Sequence, residues 1–172
     1  MTPTATGRFA ARRQEQTVTP PAQSASPTGS DAAPPPGRIR IEHLAGDRYE
    51  IAVRGHRIVV DQPVEDGGQD SGPTPTELFA ASLASCVAFY AGRYLTPHGV
   101  DPKGLRVDAG FTMASDHPAR VTEATLTVKA PEGLDPARYD ALLAVASHCT
   151  VHNTLHQPPT VRIGMAPSDG PE

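Results

Sequence analysis

The sequence predicts a mixed α+β fold, and three observations lead to this prediction. Apolar and polar residues alternate with a period of two before and after a long stretch rich in alanine and leucine, as they do in strands with one buried face. That stretch and a second one nearer the C-terminus both begin with helix-start signals. Neighbouring strands are joined by links of hairpin length. The resulting order, β-β-β-α-β-β-α-β, is typical of an α+β domain.

One folded domain is expected to span residues 38–167. A chain of 172 residues is long enough for one hydrophobic core and short for two. Residues 1–37 contain seven of the 19 prolines and few large apolar side chains, so they cannot bury enough surface to offset the entropy cost of ordering. We therefore predict a disordered tail at residues 1–37 and a flexible C-terminus at residues 168–172.

Six strands are predicted from the alternation alone. The first three are expected to form an antiparallel meander with one face in contact with water, and the next two to form a hairpin. A last strand is expected close to the C-terminus, after a pair of prolines. The predicted strands cover residues 38–44, 48–53 and 56–60, then residues 105–113 and 120–129, and finally Thr160–Met165.

The first helix is predicted to begin at a capping box. Thr74 has the features of an N-cap, Pro75 follows at the first helical position, and Glu77 stands at the capping-box spacing. The helix should continue to about Leu95. Because apolar or small side chains cover more than half of its circumference, we expect it to be buried, with part of that burial supplied by a partner subunit.

The second helix is predicted to start at Asp135, an N-cap followed by Pro136, and to run toward Cys149. A further helical turn is expected at residues 150–156, before two prolines end it.

Charge and hydropathy exclude several function classes. The net charge of -4 and the pI of about 5.9, without a cluster of lysines and arginines, argue against nucleic-acid binding. No stretch approaches the roughly 20 consecutive apolar residues of a membrane span, and the N-terminus lacks the apolar core of an export signal. We therefore expect a soluble cytoplasmic protein that binds neither nucleic acid nor membrane, with its cysteines present as reduced thiols.

The two cysteines, Cys86 and Cys149, are the main candidates for chemistry. Considered singly, each is readily explained as a packing residue, because free cysteine is among the most buried residue types. Cys86 also lies in the middle of a helix rather than at the N-terminal position that activates a thiol. The interpretation of the pair therefore depends on its sequence context.

Three histidines close to Cys149 raise the question of a metal site. His148, His152 and His156 lie with Cys149 within nine residues. A Cys-x-x-His pair supplies only two of the four ligands of a closed zinc site, and no second matching pair is present. We therefore expect no metal, and we interpret the histidines as partly exposed residues at helix ends. A serine hydrolase is also disfavoured, because no G-x-S-x-G motif occurs.

The context of the cysteines resembles the OsmC/Ohr family. Residues 72–86 read GPTPTELFAASLASC, and residues 148–155, in which the second cysteine follows 63 residues after the first, read HCTVHNTL. Members of that family are similar in a G-x-x-P-x-E-L turn at the start of a central helix. In that helix a run of small residues ends in a cysteine. They are also similar in a second cysteine followed by a short x-x-[HS]-x-[TS]-L element. The resemblance covers roughly residues 38–165.

The resemblance implies a fold, an assembly and an activity. The fold would be OsmC-like, with antiparallel strands wrapped around the long central helices of an intertwined homodimer. The activity would be that of a thiol peroxidase that reduces organic hydroperoxides without a metal or organic cofactor. Cys86 would be the peroxidatic cysteine and Cys149 the resolving one. A dithiol reductant, of the dihydrolipoyl kind, would reset the pair.

Two charged residues are candidates for a supporting role. In the Ohr branch an arginine of the first hairpin and a glutamate near the start of the long helix pair beside the reactive sulfur. Arg48 and Glu77 lie close to those positions but not in register. We favour Glu77 as a capping-box residue, nine residues from Cys86 and on the opposite helix face, and Arg48 as a solvated hairpin charge.

An alternative function from another class stays open. The same fold could serve as a dimeric module that holds a hydrophobic ligand near Cys86, or that senses redox state, without turning over a substrate.

Overall fold

The computed structural model describes residues 37–167, which form a mixed α+β fold with antiparallel strands. The predicted tail and C-terminus lie outside the described residues, apart from Gly37. Within this range the element order is β-β-β-α-β-β-α-α. The strands are β1 (Ile39–Ala45), β2 (Arg48–Val53), β3 (His56–Val60), β4 (Arg106–Met113) and β5 (Val121–Lys129), and the helices are α1 (Pro75–Leu95), α2 (Tyr139–Ala146) and α3 (Thr150–His156).

The strands form two separate antiparallel sheets, as the alternation predicts. The first sheet is the meander β1-β2-β3, and the second is the hairpin β4-β5. Register places Ile41 opposite Ile51, and Ile51 opposite Ile58. Because side chains alternate between the faces of a strand, these three isoleucines lie on one face of the meander.

The loop between β3 and α1 closes around a buried carboxylate. Asp61 is 1 % exposed and accepts hydrogen bonds from the Ser71 hydroxyl at 2.7 Å and from the backbone N–H groups of Ser71, Gln69 and Gln62. Gly72 passes so close to the Val59 carbonyl that a Cβ there would clash with backbone. The loop therefore ties the end of β3 to the start of α1.

Helix α1 begins as the sequence predicts. The Thr74 hydroxyl accepts from the Glu77 N–H at 3.1 Å, and the Glu77 carboxylate accepts from the Thr74 N–H at 2.7 Å. This complete capping box satisfies two backbone donors that the first turn leaves free. The capping interpretation of Glu77 is confirmed.

The hydrophobic core lies where α1 packs on α2, α3 and the β4-β5 hairpin. One side of the core consists of α1 side chains that are spaced about one helical turn apart. The other side consists of side chains from α2 and from the residues just before and after α2. The core consists of Leu83, Val87, Ala91, Leu95, Leu134, Leu142, Ala146 and Cys149.

Helix α1 is less buried than its composition predicts. One face is in the core, but Phe89 is 59 % exposed and Phe79 is also exposed. By length and hydropathy alone, Pro75–His98 is the one described segment that could cross a membrane. This is weak evidence for a membrane span, because the core helix of a globular domain passes the same test.

Two sequence predictions need correction at the C-terminal end. The second helix is interrupted: a short 3-10 turn at Pro136–Arg138 leads into α2, which ends at Ala146 before Cys149. The predicted strand Thr160–Met165 is absent, because the segment has no neighbouring strand with which to pair in the described chain. Its alternate residues Val161, Ile163 and Met165 are 77 %, 95 % and 100 % exposed.

Candidate functional site

Cys86 lies on the α1 face that turns toward the core. It is half-buried and packs against the hydrophobic cluster. Its neighbours Leu83 and Val87 are both buried, so the helix backbone at this point is held in place by packing. Cys86 is therefore a thiol with partial access to solvent on a rigid helix.

Cys149 lies in a different environment, at the start of α3. Its side chain is fully buried, and its backbone is extended, as expected of an N-cap residue. The His152 N–H points at the Cys149 sulfur, with nitrogen and sulfur 3.5 Å apart. The cysteine thus takes the capping position that serine or threonine more often occupies.

The structure brings the two cysteines together. Burial raises the pKa of the Cys149 thiol, and the Cys86 thiol raises it further, by hydrogen bonding and by charge, whereas the N–H groups of His152 and Val151 act in the opposite direction. Residues separated by 63 positions are therefore neighbours. Because its pKa is raised, Cys149 is held as a neutral thiol at neutral pH.

A tyrosine–threonine contact fixes α1 against α3 beside this pair. The Tyr90 and Thr150 hydroxyls are 3.0 Å apart. Tyr90 stands one turn after Cys86 on the same helix face, and Thr150 directly follows Cys149. Tyr90 was not predicted to be a site residue, although its spacing of four residues from Cys86 places it on the same helix face.

The two candidate supporting residues are placed differently. Glu77 uses its carboxylate in the capping box, and it is not engaged with a thiol. Arg48 is half-buried rather than solvated, so the prediction of a solvated charge is wrong. Its Nε is buried and has no hydrogen-bond acceptor among the described residues. The backbone of Arg48 pairs with that of Ala45 at the start of the β1-β2 hairpin.

An apolar groove of about 630 Å³ runs beside the cysteine pair. Leu83 and Val87, which flank Cys86 on α1, form part of its wall, and neither cysteine is among its lining residues. The alternate β5 residues Ala124, Leu126 and Val128 form another part. Such a lining suits an apolar ligand.

No three histidine, cysteine, aspartate or glutamate side chains of the described chain converge on a point that could hold a metal ion.

The fold and the site define a class: an α+β protein with a pair of neighbouring thiols between a central helix and a short capped helix. A profile of the family described as OsmC-like protein matches residues 68–164, more than half of the chain. The chain therefore belongs to the OsmC-like protein family. No curated protein has a detectable sequence match.

Solved structures agree with this assignment. An osmotic stress induced and detoxification response protein of Psychrobacter arcticus is 25% identical, with a TM-score of 0.62 over 67% of this chain and 85% of that chain. An organic hydroperoxide resistance protein OsmC of Legionella pneumophila is 18% identical, with a TM-score of 0.54 over 69% and 88%. The organic hydroperoxide resistance protein OhrB of Bacillus subtilis is 16% identical, with a TM-score of 0.51 over 70% and 92%. The last two likenesses concern the fold alone.

Proposed function

We propose that the protein is a cytoplasmic thiol peroxidase that reduces organic hydroperoxides to alcohols through a dithiol–disulfide cycle of Cys86 and Cys149. Family membership supports a peroxide-related redox role. The observation that carries the finer proposal is that two free cysteines, distant in sequence, pack in one cluster. A packing role for either cysteine alone does not require the other to be its neighbour.

The cycle has three balanced steps. The Cys86 thiolate attacks one peroxide oxygen, the O–O bond breaks, and the alkoxide leaves and takes up a proton to become the alcohol, which leaves Cys86 as a sulfenic acid. The Cys149 thiol then attacks the Cys86 sulfur, water leaves, and a disulfide forms. A dithiol reductant, of the lipoyl kind in this proposal, restores both thiols by exchange and is itself oxidised to a disulfide.

The difference between the two thiols supports this order of roles. Cys86 is half-buried and Cys149 is fully buried, so a peroxide arriving from solvent meets Cys86 first. The raised pKa of Cys149 keeps it protonated and weakly nucleophilic toward the peroxide. The apolar groove next to Cys86 suits the organic part of a hydroperoxide.

The cycle is tested with tert-butyl or cumene hydroperoxide and a dithiol reductant. We expect consumption of the peroxide by the wild-type chain and none above background with Cys86→Ser. Ser85→Ala is the matched control, because the Ser85 hydroxyl only hydrogen-bonds to the Ser82 carbonyl of its own helix. Its rate should equal that of the wild type.

Intact-mass analysis tests the pairing directly. After one equivalent of peroxide, the wild-type chain should lose the mass of two hydrogens. Cys149→Ser should instead gain the mass of one oxygen at Cys86, trapped as a sulfenic acid. An unchanged free-thiol titre in the wild type after exposure to peroxide would refute the peroxidase proposal.

A second candidate function is a dimeric module that binds a hydrophobic ligand or senses redox state without turnover. The apolar groove favours it. Binding of an apolar fluorescent probe, combined with thiols that do not react with peroxide, would support this alternative over the enzyme.

We also propose that the protein is a homodimer. Three exposed apolar regions of the single chain support this proposal: the isoleucine face of the meander, Phe79 and Phe89 on α1, and the segment 160–165 with its exposed alternate residues. Surfaces of this kind mark protein interaction sites. Light scattering after size exclusion should give twice the 18.1 kDa of one chain.

A further inference from the structure

We propose that His152 and His156 form a two-imidazole site on α3 that binds a divalent transition-metal ion such as Ni²⁺, Cu²⁺ or Zn²⁺. The two residues are four positions apart and share one face of the helix. Their Nε2 atoms are 3.0 Å apart, and their rings meet edge to face with centroids 4.5 Å apart. The proposal uses no thiol, although both histidines also line the apolar groove that the proposed function assigns to the hydroperoxide.

The hydrogen-bond partner of His152 supports the site. Its Nδ1 contacts the Ser147 carbonyl oxygen, and because a carbonyl can only accept, Nδ1 must carry the hydrogen. In a neutral imidazole the other nitrogen then has a free lone pair. The Nε2 of His152 therefore accepts a hydrogen bond from the Nε2–H of His156, and an ion that binds both nitrogens replaces that hydrogen, with His156 carrying its proton on Nδ1 instead. A backbone carbonyl that fixes the tautomer in this way is the usual second partner of a metal-binding histidine.

The separation of the two nitrogens suits a shared ion. Two imidazole nitrogens at about 2.0–2.1 Å from one metal, with a bond angle between a right angle and a tetrahedral one, lie about 2.8–3.4 Å apart. The observed Nε2–Nε2 distance of 3.0 Å falls within this range. Imidazole is a good ligand for nickel, copper and zinc.

The surroundings leave room for the other ligands of the ion. Both histidines line a polar cavity of about 490 Å³ together with Ser147, His148, Asn153 and Gln157. No third histidine, cysteine, aspartate or glutamate of the described residues joins the two to form a metal-binding group, so solvent or a small exogenous ligand fills the remaining positions. This is an open site of modest affinity, unlike the closed four-ligand zinc site that the sequence excludes.

Calorimetric titration of the full-length, tag-free chain with Ni²⁺ tests the site. We expect one ion per chain for the wild type and a loss of affinity of at least about tenfold for His152→Ala and for His156→Ala. His98→Ala is the matched control. Like His156, His98 is exposed at a helix end, and like His152 it contacts a backbone carbonyl through Nδ1, here that of Tyr94 at 2.6 Å. It should bind Ni²⁺ as the wild type does.

Thiol ligation must be separated from imidazole ligation. The titration is therefore repeated with Cys86→Ser/Cys149→Ser, in which Ni²⁺ binding should persist. No binding by the wild type, binding that vanishes with the thiols, or unchanged affinity in His156→Ala would each overturn the proposal. If circular dichroism shows that His152→Ala disturbs the fold, the Ni²⁺ affinity of His156→Ala decides the outcome, because His156 is exposed at the end of α3.

Discussion

The meander β1-β2-β3 and the helical body, which comprises α1, α2, α3 and the β4-β5 hairpin, use their apolar residues in opposite ways. The body buries them: its core contains fully buried side chains such as Leu95 and Leu142. The meander buries Ala52 and Val60 but leaves the isoleucines of β1 exposed, with Ile39 62 % and Ile41 55 % accessible. Both regions have clear strand alternation, but the described residues leave the β1 isoleucines without a covering layer.

This difference indicates which part of the fold is complete in one chain. Burying apolar area contributes roughly 25 cal/mol per Å², so a sheet gains that stabilisation only when another layer covers its face. The body contains both thiols and their surroundings. The meander contributes the half-buried Arg48 and an apolar face that suits a second copy of the chain.

The largest expected effect comes from charging the meander face. Ile39→Glu/Ile41→Glu places two carboxylates on that face, where burial of a charge is costly, so the proposed dimer should dissociate fully to monomers in light scattering. Val64→Glu is the control, because Val64 is 67 % exposed but lies in the turn after β3. A double variant that stays dimeric would show that the meander face is not the interface.

A core truncation in the body should have the next largest effect. Leu142 is 2 % exposed, and Leu142→Ala should lower the free energy of unfolding by about 2–5 kcal/mol through lost burial and the cavity left behind. Leu143→Ala, at the adjacent exposed position, should cost much less. Urea unfolding measures both variants, and similar costs would contradict the assigned core.

The Asp61 loop, which joins the two regions, should show a pH-dependent effect. Burial alone would raise the pKa of Asp61, but hydrogen bonds from Ser71, Gln62 and Gln69 outweigh it and lower the pKa from 3.8 to about 2. Because the folded-state pKa is depressed, this stabilisation is present above pH 3.8 and is lost as pH falls toward about 2.

Asp61→Asn should therefore lower the melting temperature at neutral pH by roughly 5 °C. It should also remove part of the acid sensitivity between pH 3.8 and about 2, which thermal melts across this range would reveal. A variant with the same acid profile as the wild type would show that the buried carboxylate is not responsible.

The capping box should give the smallest change. Thr74→Ala removes the side-chain acceptor for the Glu77 N–H and should cost about 1 kcal/mol of unfolding free energy. Thr76→Ala, within the first turn, removes no cap and should be close to neutral. Chemical denaturation compares the two, and equal costs would argue against the capping role.

Local elements could be predicted well because their causes are local. Strand alternation located β1 to β5, and the residue types at Thr74, Pro75 and Glu77 located the start of α1. The segment 160–165 has the same kind of alternation, yet it forms no strand in the described chain. A strand requires hydrogen bonds to a neighbour, and alternation does not reveal whether one is available.

The sequence by itself determined the α+β class, the positions of most elements and, through the resemblance, the family and the choice of Cys86 and Cys149 as candidate site residues. Only the tertiary structure decided that the two cysteines are neighbours, that Tyr90 ties α1 to α3, and that Asp61 is buried under its loop. The physical reason is the distance along the chain over which each effect acts. Propensity and capping act within a few residues, whereas burial, pKa shifts and thiol contact depend on segments that are distant along the chain.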